Sequence, residues 1–305
     1  MFHRLNFHAM GSDVLVVLDS QSDQASQSLS QIPEYFEDWE QSLSRFRADS
    51  ELSRLNRTVD QPMPVSATLW DVFETSQWAE QFTNGLVTPT VLDAMLELGY
   101  DQSFDSLPRY QHQSFMLSPV MTQSLTVVVA DKGDQTICLP QGVHLDFGGI
   151  AKGWAAHQAV ESLKVEAPAL VNAGGDIAIS GPCSNGTAWE IKVKNPFDKD
   201  SDFEVLYVMC GGVATSGKDR RRWIQNDQLR HHIIDPMTGL PAVTDLMSAT
   251  VIAPNVMEAE ASAKAVIILG AEDGLAWIEA HEELAGLLVL ENGEAWYSKR
   301  MKEYL

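Results

Sequence analysis

Residues 145–154 combine residue types that could bind an anion. They read Leu-Asp-Phe-Gly-Gly-Ile-Ala-Lys-Gly-Trp, a pattern that predicts a strand passing through Gly148-Gly149 into an amphipathic helix. Glycines leave room for a ligand against the main chain, and a helix start offers free N–H groups. Lys152 would stand in the first helical turn, where the macrodipole disfavours a cation by about 0.3–1 kcal/mol. An anionic ligand, most simply a phosphate, would offset that cost.

Two further stretches could contact an anion. Gly174-Gly175-Asp176 follows a short apolar strand; its glycines and carboxylate suit a sugar or phosphate edge, and a plain turn explains it equally well. The run 214–223, Ala-Thr-Ser-Gly-Lys-Asp-Arg-Arg-Arg-Trp, is the densest basic segment of an acidic chain. Its composition favours an anion contact, with a solvated loop as the alternative of equal weight.

A candidate base and a candidate ion pair lie further along the chain. His231 and His232 lie in a predicted strand that ends in a turn at Asp235. A histidine near an aspartate can act as a general base, although a packed or solvated histidine is the commoner case. Glu260 and Lys264 stand four residues apart on a predicted helix and share one face. They form an ordinary helix pair or, where the small residues around them pack closely, a buried one.

The order of the predicted helices and strands indicates a single α+β domain over residues 1–305. We expect a mixed, largely antiparallel sheet with helices packed on it. Apolar runs and turn residues predict strands at 2–8, 13–18, 124–130, 135–139, 169–172, 177–180, 188–194, 203–210, 231–234 and 248–253, and a pair within 286–298. Helical spacing and capping residues predict helices that start at Ser22 or Asp23 and at Ser66, lie within 50–56 and 88–99, follow Gly149, and span 258–269 and 272–282. Residues 101–123 are polar and irregular, which predicts a surface insertion.

The composition limits the classes of partner. The 42 acidic and 21 basic residues give a formal charge of -21, which argues against binding to nucleic acid or to an anionic membrane. No apolar run approaches the ~20 residues that span a bilayer. The three cysteines are far apart without metal-ligand spacing, and the N-terminal segment has no apolar signal core. We therefore expect a cytoplasmic protein.

Taken in order, the motifs resemble the FAD:protein FMN transferase family. The resemblance rests on Met10-Gly11, Ser-x-Phe before Ser-Glu-Leu-Ser-x-Leu-Asn, Pro-Thr-Val, Leu-Asp-x-Gly-Gly-Ile-Ala-Lys-Gly, Gly-Gly-Asp, Thr-Ser-Gly and His-x-Ile-Asp-Pro-x-Thr-Gly. It covers nearly the whole chain, and so many short motifs in one order are not expected by chance. Members of that family cleave FAD and move FMN onto a threonine of a target protein, with release of AMP and assistance from magnesium.

The resemblance also implies roles for particular residues. It assigns eight residues to FAD: Met10, Phe46, Leu86, Val87, Thr88, Asp146, Lys152 and Ile234. Gly149 would offer its backbone carbonyl to the metal, and His232 would deprotonate the acceptor threonine.

The chain departs from the family pattern at the metal site. The family has aspartate and, four residues on, threonine as side-chain ligands, where this chain has Glu260 and Lys264. Glutamate can bind a hard cation, whereas lysine has three donors and no acceptor. The cofactor prediction is therefore FAD with magnesium at Gly149 and Glu260, or with the Lys264 ammonium in place of the metal, neutralising the FAD pyrophosphate. The family also has aspartate where this chain has Thr88.

Three functions remain open from the sequence. The first is a flavin transferase with FAD and a threonine-bearing flavoprotein as partners. The second is an FAD hydrolase, in which water replaces the threonine. The third is a non-catalytic FAD-binding carrier or sensor. His232 favours the first two, whereas Lys264 and Thr88 favour the third.

Overall fold

The computed structural model describes residues 1–22, 25–111, 120–198 and 200–305. These residues form α-helices α1 (Ala25–Leu43), α2 (Glu51–Arg57), α3 (Ala67–Phe82), α4 (Leu92–Glu97), α5 (Ala151–Leu163), α6 (Val256–Leu269) and α7 (Ala271–Ala280). Short 3-10 helices span Pro89–Val91, Phe104–Ser106, Leu125–Val127 and Arg300–Tyr304. Asp23, a predicted helix cap, and residues 112–119 of the predicted insertion lie outside the described residues.

The strands are numbered in chain order. They are β1 (Phe2–Ala9), β2 (Ser12–Asp19), β3 (Met63–Pro64), β4 (Tyr110–Gln111), β5 (Val129–Asp131), β6 (Thr136–Cys138), β7 (Ala169–Ala173), β8 (Asp176–Ile179), β9 (Trp189–Lys194), β10 (Asp202–Val208), β11 (Gly211–Gly217), β12 (Arg222–Gln225), β13 (Gln228–His231), β14 (Ile234–Asp235), β15 (Leu240–Pro241), β16 (Leu246–Ala253), β17 (Ala285–Leu290) and β18 (Ala295–Tyr297).

The chain divides into two compact units. The first comprises Met1–Glu37, Lys152–Asp219 and Thr244–Leu305, and the second comprises Asp38–Ala151 and Arg220–Val243. The predicted single domain over residues 1–305 stays a prediction.

The first unit is built on an eight-stranded sheet in the order β1-β2-β7-β8-β11-β16-β17-β18. Every neighbouring pair is antiparallel, which confirms the predicted α+β fold with a largely antiparallel sheet. The β9–β10 hairpin packs its buried side chains, among them Trp189 and Leu206, against Val213 and Leu287 of the sheet. Helix α6 packs against β8, β11 and β16.

The close approach of α6 depends on a glycine in β11. A Cβ built on Gly212 would lie 2.2 Å from the backbone nitrogen of Val256, the first residue of α6. Only glycine therefore allows this helix to start directly against the strand. The result is that α6 presents its side chains at the middle of the sheet.

The second unit contains helices α2, α3 and α4 and small sheets. The sheets have the orders β13-β12-β4, β14-β15 and β3-β6-β5. One hydrophobic cluster joins Leu98, Tyr100, Trp223 and Ile234. The flanks of the predicted insertion contribute to this cluster, since Leu107 is buried in it and Val120 packs against it.

Several sequence predictions need correction. The segment that leads directly into Gly148 is not a strand, because Leu145 forms both of its backbone hydrogen bonds, each 2.8 Å long, with the Asn56 side chain. Residues 125–127 form a 3-10 helix, so the predicted strand 124–130 is reduced to β5. The predicted strand 231–234 is interrupted, because β13 ends at His231. The solvated-loop alternative for the run 214–223 is limited to residues 218–221, because residues 214–217 belong to β11 and residues 222–223 to β12.

Among the helices in the described part of the chain, none is long and apolar enough to cross a membrane.

Candidate functional site

Lys152 lies in the first turn of α5, where the sequence predicted it. Its ammonium contacts the Asp176 carboxylate and lies 3.1 Å from Oε1 of Glu260. These two carboxylates compensate the unfavourable placement of a cation at a helix N-terminus. The negative charge that offsets the helix-dipole cost of Lys152, expected from an external anion, is therefore supplied in part by the protein itself.

Glu260 is the centre of a buried ion cluster in the first unit. Lys264, one turn later on α6, places its Nζ 2.9 Å from the same Oε1 that Lys152 contacts. The other oxygen, Oε2, accepts a 2.9 Å hydrogen bond from the backbone N–H of Gly153. The side chains of Lys152, Lys264 and Glu260 are 13%, 16% and 1% exposed. We call Lys152, Asp176, Glu260 and Lys264 the buried ion cluster.

The two carboxylates of the buried ion cluster have opposite pKa shifts. Burial and the negative charge of Glu260 raise the pKa of Asp176 to about 6, against the lowering effect of Lys152. Burial also acts to raise the pKa of Glu260, but the ammonium groups of Lys152 and Lys264 outweigh it and lower that pKa overall. Glu260 is therefore the carboxylate that stays ionised, and Asp176 is the one that takes a proton first.

This donor set suits magnesium poorly. Magnesium needs oxygen ligands about 2.0–2.1 Å away in an octahedral arrangement. Both carboxylate oxygens of Glu260 already accept from N–H donors, and two ammonium groups share one of them. Among the described residues, no group of three or more His, Cys, Asp and Glu side chains could hold a metal ion.

Met10 occupies the two-residue turn between β1 and β2. Ala9 pairs with Ser12, and Met10 and Gly11 have φ angles of 51° and 63°. Two residues with positive φ form the turn type that matches the twist of a hairpin. In this left-handed conformation a non-glycine residue is strained by roughly 1–2 kcal/mol. Backbone strain is often found at functional sites, so the strained conformation of Met10 supports its predicted contact with the ligand.

The second unit brings Phe46 and Asp146 together through Arg45. The guanidinium of Arg45 lies over the Phe46 ring at 4.1 Å and forms an ion pair with Asp146. It also donates a 2.8 Å hydrogen bond to the carbonyl of Tyr100. Arg45 and Asp146 are buried, whereas Phe46 is 42% exposed, so that an aromatic surface is available beside an internally neutralised pair.

Ile234 belongs to the hydrophobic cluster beside this pair. Tyr100 contacts both Phe46 and Trp223, at ring-centroid distances of 5.9 and 5.4 Å. Ile234 is buried in the same cluster as Tyr100 and Trp223. Burial raises the pKa of the Tyr100 hydroxyl, and the positive charge of Arg221 acts against that shift. The tyrosine is thus a neutral packing residue that supports the Phe46 ring.

The 86–88 segment is held by a buried glutamate that the sequence analysis missed. Glu80 accepts hydrogen bonds from the hydroxyls of Thr88 and Ser124, both 2.6 Å long, and from the N–H of Leu125. Thr88 is buried, as is Val87, whereas Leu86 is half-buried. Pro89, the next residue, accepts a 2.8 Å hydrogen bond from the N–H of Asp146. The segment is therefore joined to residue 146.

His231 and His232 have different surroundings. His231 is buried: its Nε2 lies 3.0 Å from the carbonyl of Ala242, and its Nδ1 accepts from the N–H of Ile233. Because a carbonyl only accepts, His231 carries its proton on Nε2 and has no nitrogen left for a reactant. His232 is half-buried and remains the candidate base.

Gly149 lies in the turn before α5 and is half-buried. The neighbouring Gly148 donates a 2.7 Å hydrogen bond to Asp146, and a Cβ on Gly148 would lie 2.8 Å from that carboxylate oxygen. In the second glycine-rich motif, Gly174 and Gly175 form the turn between β7 and β8, and Asp176 is the first residue of β8. Its carboxylate contacts Lys152, so the plain-turn alternative does not describe it fully.

Comparisons with known proteins show what this chain is similar to. The model of the ApbE family matches residues 10–288. The FAD:protein FMN transferase of Escherichia coli K12 is 28% identical over 275 residues, which are 87% of this chain and 78% of that protein. The FAD:protein FMN transferase of Treponema pallidum is 30% identical over 264 residues, which are 81% of this chain and 72% of that protein.

A solved structure of an ApbE protein has the same fold as this chain. The crystal structure of the ApbE protein from Thermotoga maritima superimposes with a TM-score of 0.89 at 26% identity. The match covers 100% of this chain and 99% of that one.

Proposed function

This chain belongs to the ApbE family, and on that premise we propose that it moves FMN from FAD to a threonine of a target flavoprotein and releases AMP. The observation that carries the proposal is its similarity to curated FAD:protein FMN transferases over more than four fifths of the chain. The family match takes in every residue to which the sequence analysis assigned a role.

The proposed chemistry is a single displacement at phosphorus. His232 accepts the proton of the threonine hydroxyl, whose oxygen attacks the phosphorus on the FMN side of the pyrophosphate. The bond between that phosphorus and the bridging oxygen breaks, and the oxygen leaves as part of AMP. Such transfers depend on positioning and on stabilising charge, which the ammonium groups of Lys152 and Lys264 would supply to the pyrophosphate.

The remaining site residues are proposed to bind the rest of FAD. The exposed ring of Phe46 offers a stacking surface for a flat aromatic group. Asp146, whose carboxylate is held by Arg45, would contact FAD beside Phe46. Met10, Ile234 and the 86–88 segment would add apolar contacts.

Magnesium is the second component that the resemblance implies. It would be held by the carbonyl of Gly149 and the carboxylate of Glu260, and would add positive charge at the pyrophosphate. Because Glu260 already accepts from N–H donors, the proposed displacement at phosphorus does not depend on that ion.

The cytoplasm is the proposed compartment. Cys138, Cys183 and Cys210 are free thiols, and Cys210 is exposed. An exposed free thiol suits a reducing compartment. Fractionation of cells with an antibody to the chain would test this, and recovery outside the cytoplasm would contradict it.

One assay distinguishes the three candidate functions. The purified chain is incubated with FAD and magnesium, with and without a threonine-bearing acceptor domain, and AMP and covalent flavin are measured. Transfer requires both products with acceptor and neither without it. AMP without acceptor would instead indicate an FAD hydrolase, and bound FAD without AMP would indicate a carrier or sensor. An acceptor domain with alanine in place of the threonine is the control.

If His232 is the general base, its substitution should slow AMP release without weakening FAD binding. His232→Ala should slow AMP release by about a hundredfold or more, because a general base contributes that much. FAD binding, measured by flavin fluorescence, should stay close to that of the wild type. His3→Ala, which removes another half-buried histidine, is the matched control and should retain activity. Equal AMP release by His232→Ala and the wild type would rule out this assignment.

A further inference from the structure

The arrangement of cations around Glu260 differs from that of an ordinary helix ion pair. Two ammonium groups, from α5 and α6, lie 3.1 and 2.9 Å from one carboxylate oxygen. The other oxygen accepts from the N–H of Gly153. A surface pair would leave these groups solvated, but here both lysine side chains are more than four fifths buried.

Lys264 has hydrogen-bonding capacity that its surroundings do not use. An ammonium carries three N–H donors and no acceptor. Among the described residues, Glu260 is the one acceptor within hydrogen-bonding distance of Lys264 Nζ. Burying a charged donor without an acceptor is costly, so an anion that brings oxygen atoms to Lys264 would be favoured there.

A divalent ion cannot use the same position without rearrangement. It would need the Glu260 oxygens that the ammonium groups and the Gly153 N–H now occupy, and it would lie next to two positive charges. The two ammonium groups of the buried ion cluster therefore carry, in covalently attached form, the charge of one divalent ion, and the carboxylates of Glu260 and Asp176 act against it.

We propose that Lys264 and Lys152 bind the pyrophosphate of FAD directly and that this chain binds FAD without a divalent metal ion. The inference rests on the proposed function, because it takes FAD as the ligand. It deepens that function by assigning the cation of the site to two side chains.

The test measures FAD binding by the chain of residues 1–305, through flavin fluorescence, in EDTA and in excess magnesium. We expect the wild type to bind FAD with the same affinity in both. Lys264→Thr, which replaces the ammonium by a hydroxyl, should weaken binding in EDTA by about tenfold or more, as the loss of a charge-assisted contact does. Lys264→Arg, which keeps the charge, should bind FAD in EDTA within a few-fold of the wild type.

Two controls isolate the role of the pyrophosphate. Riboflavin has no phosphate, so Lys264→Thr should bind it as the wild type does. Lys164→Thr makes the same substitution at an exposed lysine near the end of α5, which pairs with Glu161, and should not change FAD binding. If Lys264→Thr does not fold, the comparison of EDTA with magnesium on the wild type still decides the proposal.

The outcomes separate this inference from the proposed function. Wild-type binding that requires magnesium, together with AMP and covalent flavin in the acceptor assay, would overturn the inference and leave the proposed function standing. Unchanged FAD binding by Lys264→Thr in EDTA would also overturn it. Absence of FAD binding under both conditions would overturn both.

Discussion

At the scale of single residues, Lys152 shows what sequence reasoning can and cannot find. A cation in the first turn of a helix is locally unfavourable, and this correctly marked Lys152 as unusual. The groups that compensate it, Asp176 and Glu260, lie 24 and 108 residues away. Long-range packing selects such partners, so no local pattern could identify them. Arg45, which joins Phe46 to Asp146, was missed for the same reason.

The raised pKa of Asp176 makes stability depend on pH. The folded chain holds a proton on Asp176 up to a pH of about 6, whereas an ordinary aspartate releases it near 3.8. Binding of that proton therefore stabilises the folded state. This stabilisation is fully present below pH 3.8, the pKa of an ordinary aspartate, and is lost as the pH rises through about 6, the pKa of Asp176 in the folded chain. The free energy of unfolding of the wild type, relative to Asp176→Asn, should therefore fall between pH 4 and pH 7.

Urea unfolding of both proteins across this pH range would measure the effect, and parallel curves would contradict it. Asp202→Asn is a suitable comparator. Hydrogen bonds from Lys194 and Lys192 lower the pKa of Asp202, so this substitution should not reproduce the trend.

Loss of Arg45 should destabilise the second unit strongly. Arg45→Met would leave the Asp146 carboxylate buried and unpaired, which costs about 3–5 kcal/mol in comparable cases. Arg47→Met is the matched control, because Arg47 pairs with Glu40 in a more exposed position, and should cost less than about 1 kcal/mol. Urea unfolding of the two variants measures the difference, and equal losses would argue against a special role for Arg45.

At the scale of elements, capping and turn residues predicted helices better than composition predicted strands. Ser66, a predicted helix start, caps α3 by accepting from the N–H of Leu69. Asn84 and Gly85 follow the helix with positive φ angles, which are typical of residues at a helix end. Strand β11 was missed because it consists of glycine, alanine, hydroxyl residues and a single valine. Its burial comes from tertiary contacts, because α6 packs against Gly212 and the β9–β10 hairpin packs against Val213. The contact with α6 joins segments more than 40 residues apart.

Because of the contact between α5 and α6, we expect Gly153→Ala to destabilise the chain, although helix propensity alone favours alanine. Replacing a helical glycine by alanine normally stabilises by up to about 1 kcal/mol. A Cβ on Gly153 would lie 2.5 Å from Oε2 of Glu260, so Gly153→Ala must displace the buried carboxylate. We expect a lower melting temperature and weaker FAD binding, measured by calorimetry and flavin fluorescence. A raised melting temperature would show that the cluster can adapt.

At the scale of the whole molecule, the formal charge of -21 opposes the approach of an anionic ligand. Added salt screens such repulsion, with a Debye length of about 10 Å at 0.1 M. The association rate of FAD should therefore rise with salt concentration, whereas that of uncharged riboflavin should not. Stopped-flow fluorescence measures both rates. An FAD rate that falls with salt would show that the local lysines, rather than the overall charge, control the encounter.

The hydrogen bond from Gly153 to Glu260 also has a consequence for amide exchange with solvent. The N–H groups of a first helical turn lack intrahelical acceptors and usually exchange their hydrogens rapidly. The Gly153 N–H is in such a turn but donates to a carboxylate that is fully buried. Its exchange should be slow, and Glu260→Gln should accelerate it, as nuclear magnetic resonance could record. This single amide would then report on the integrity of the buried ion cluster without any flavin present.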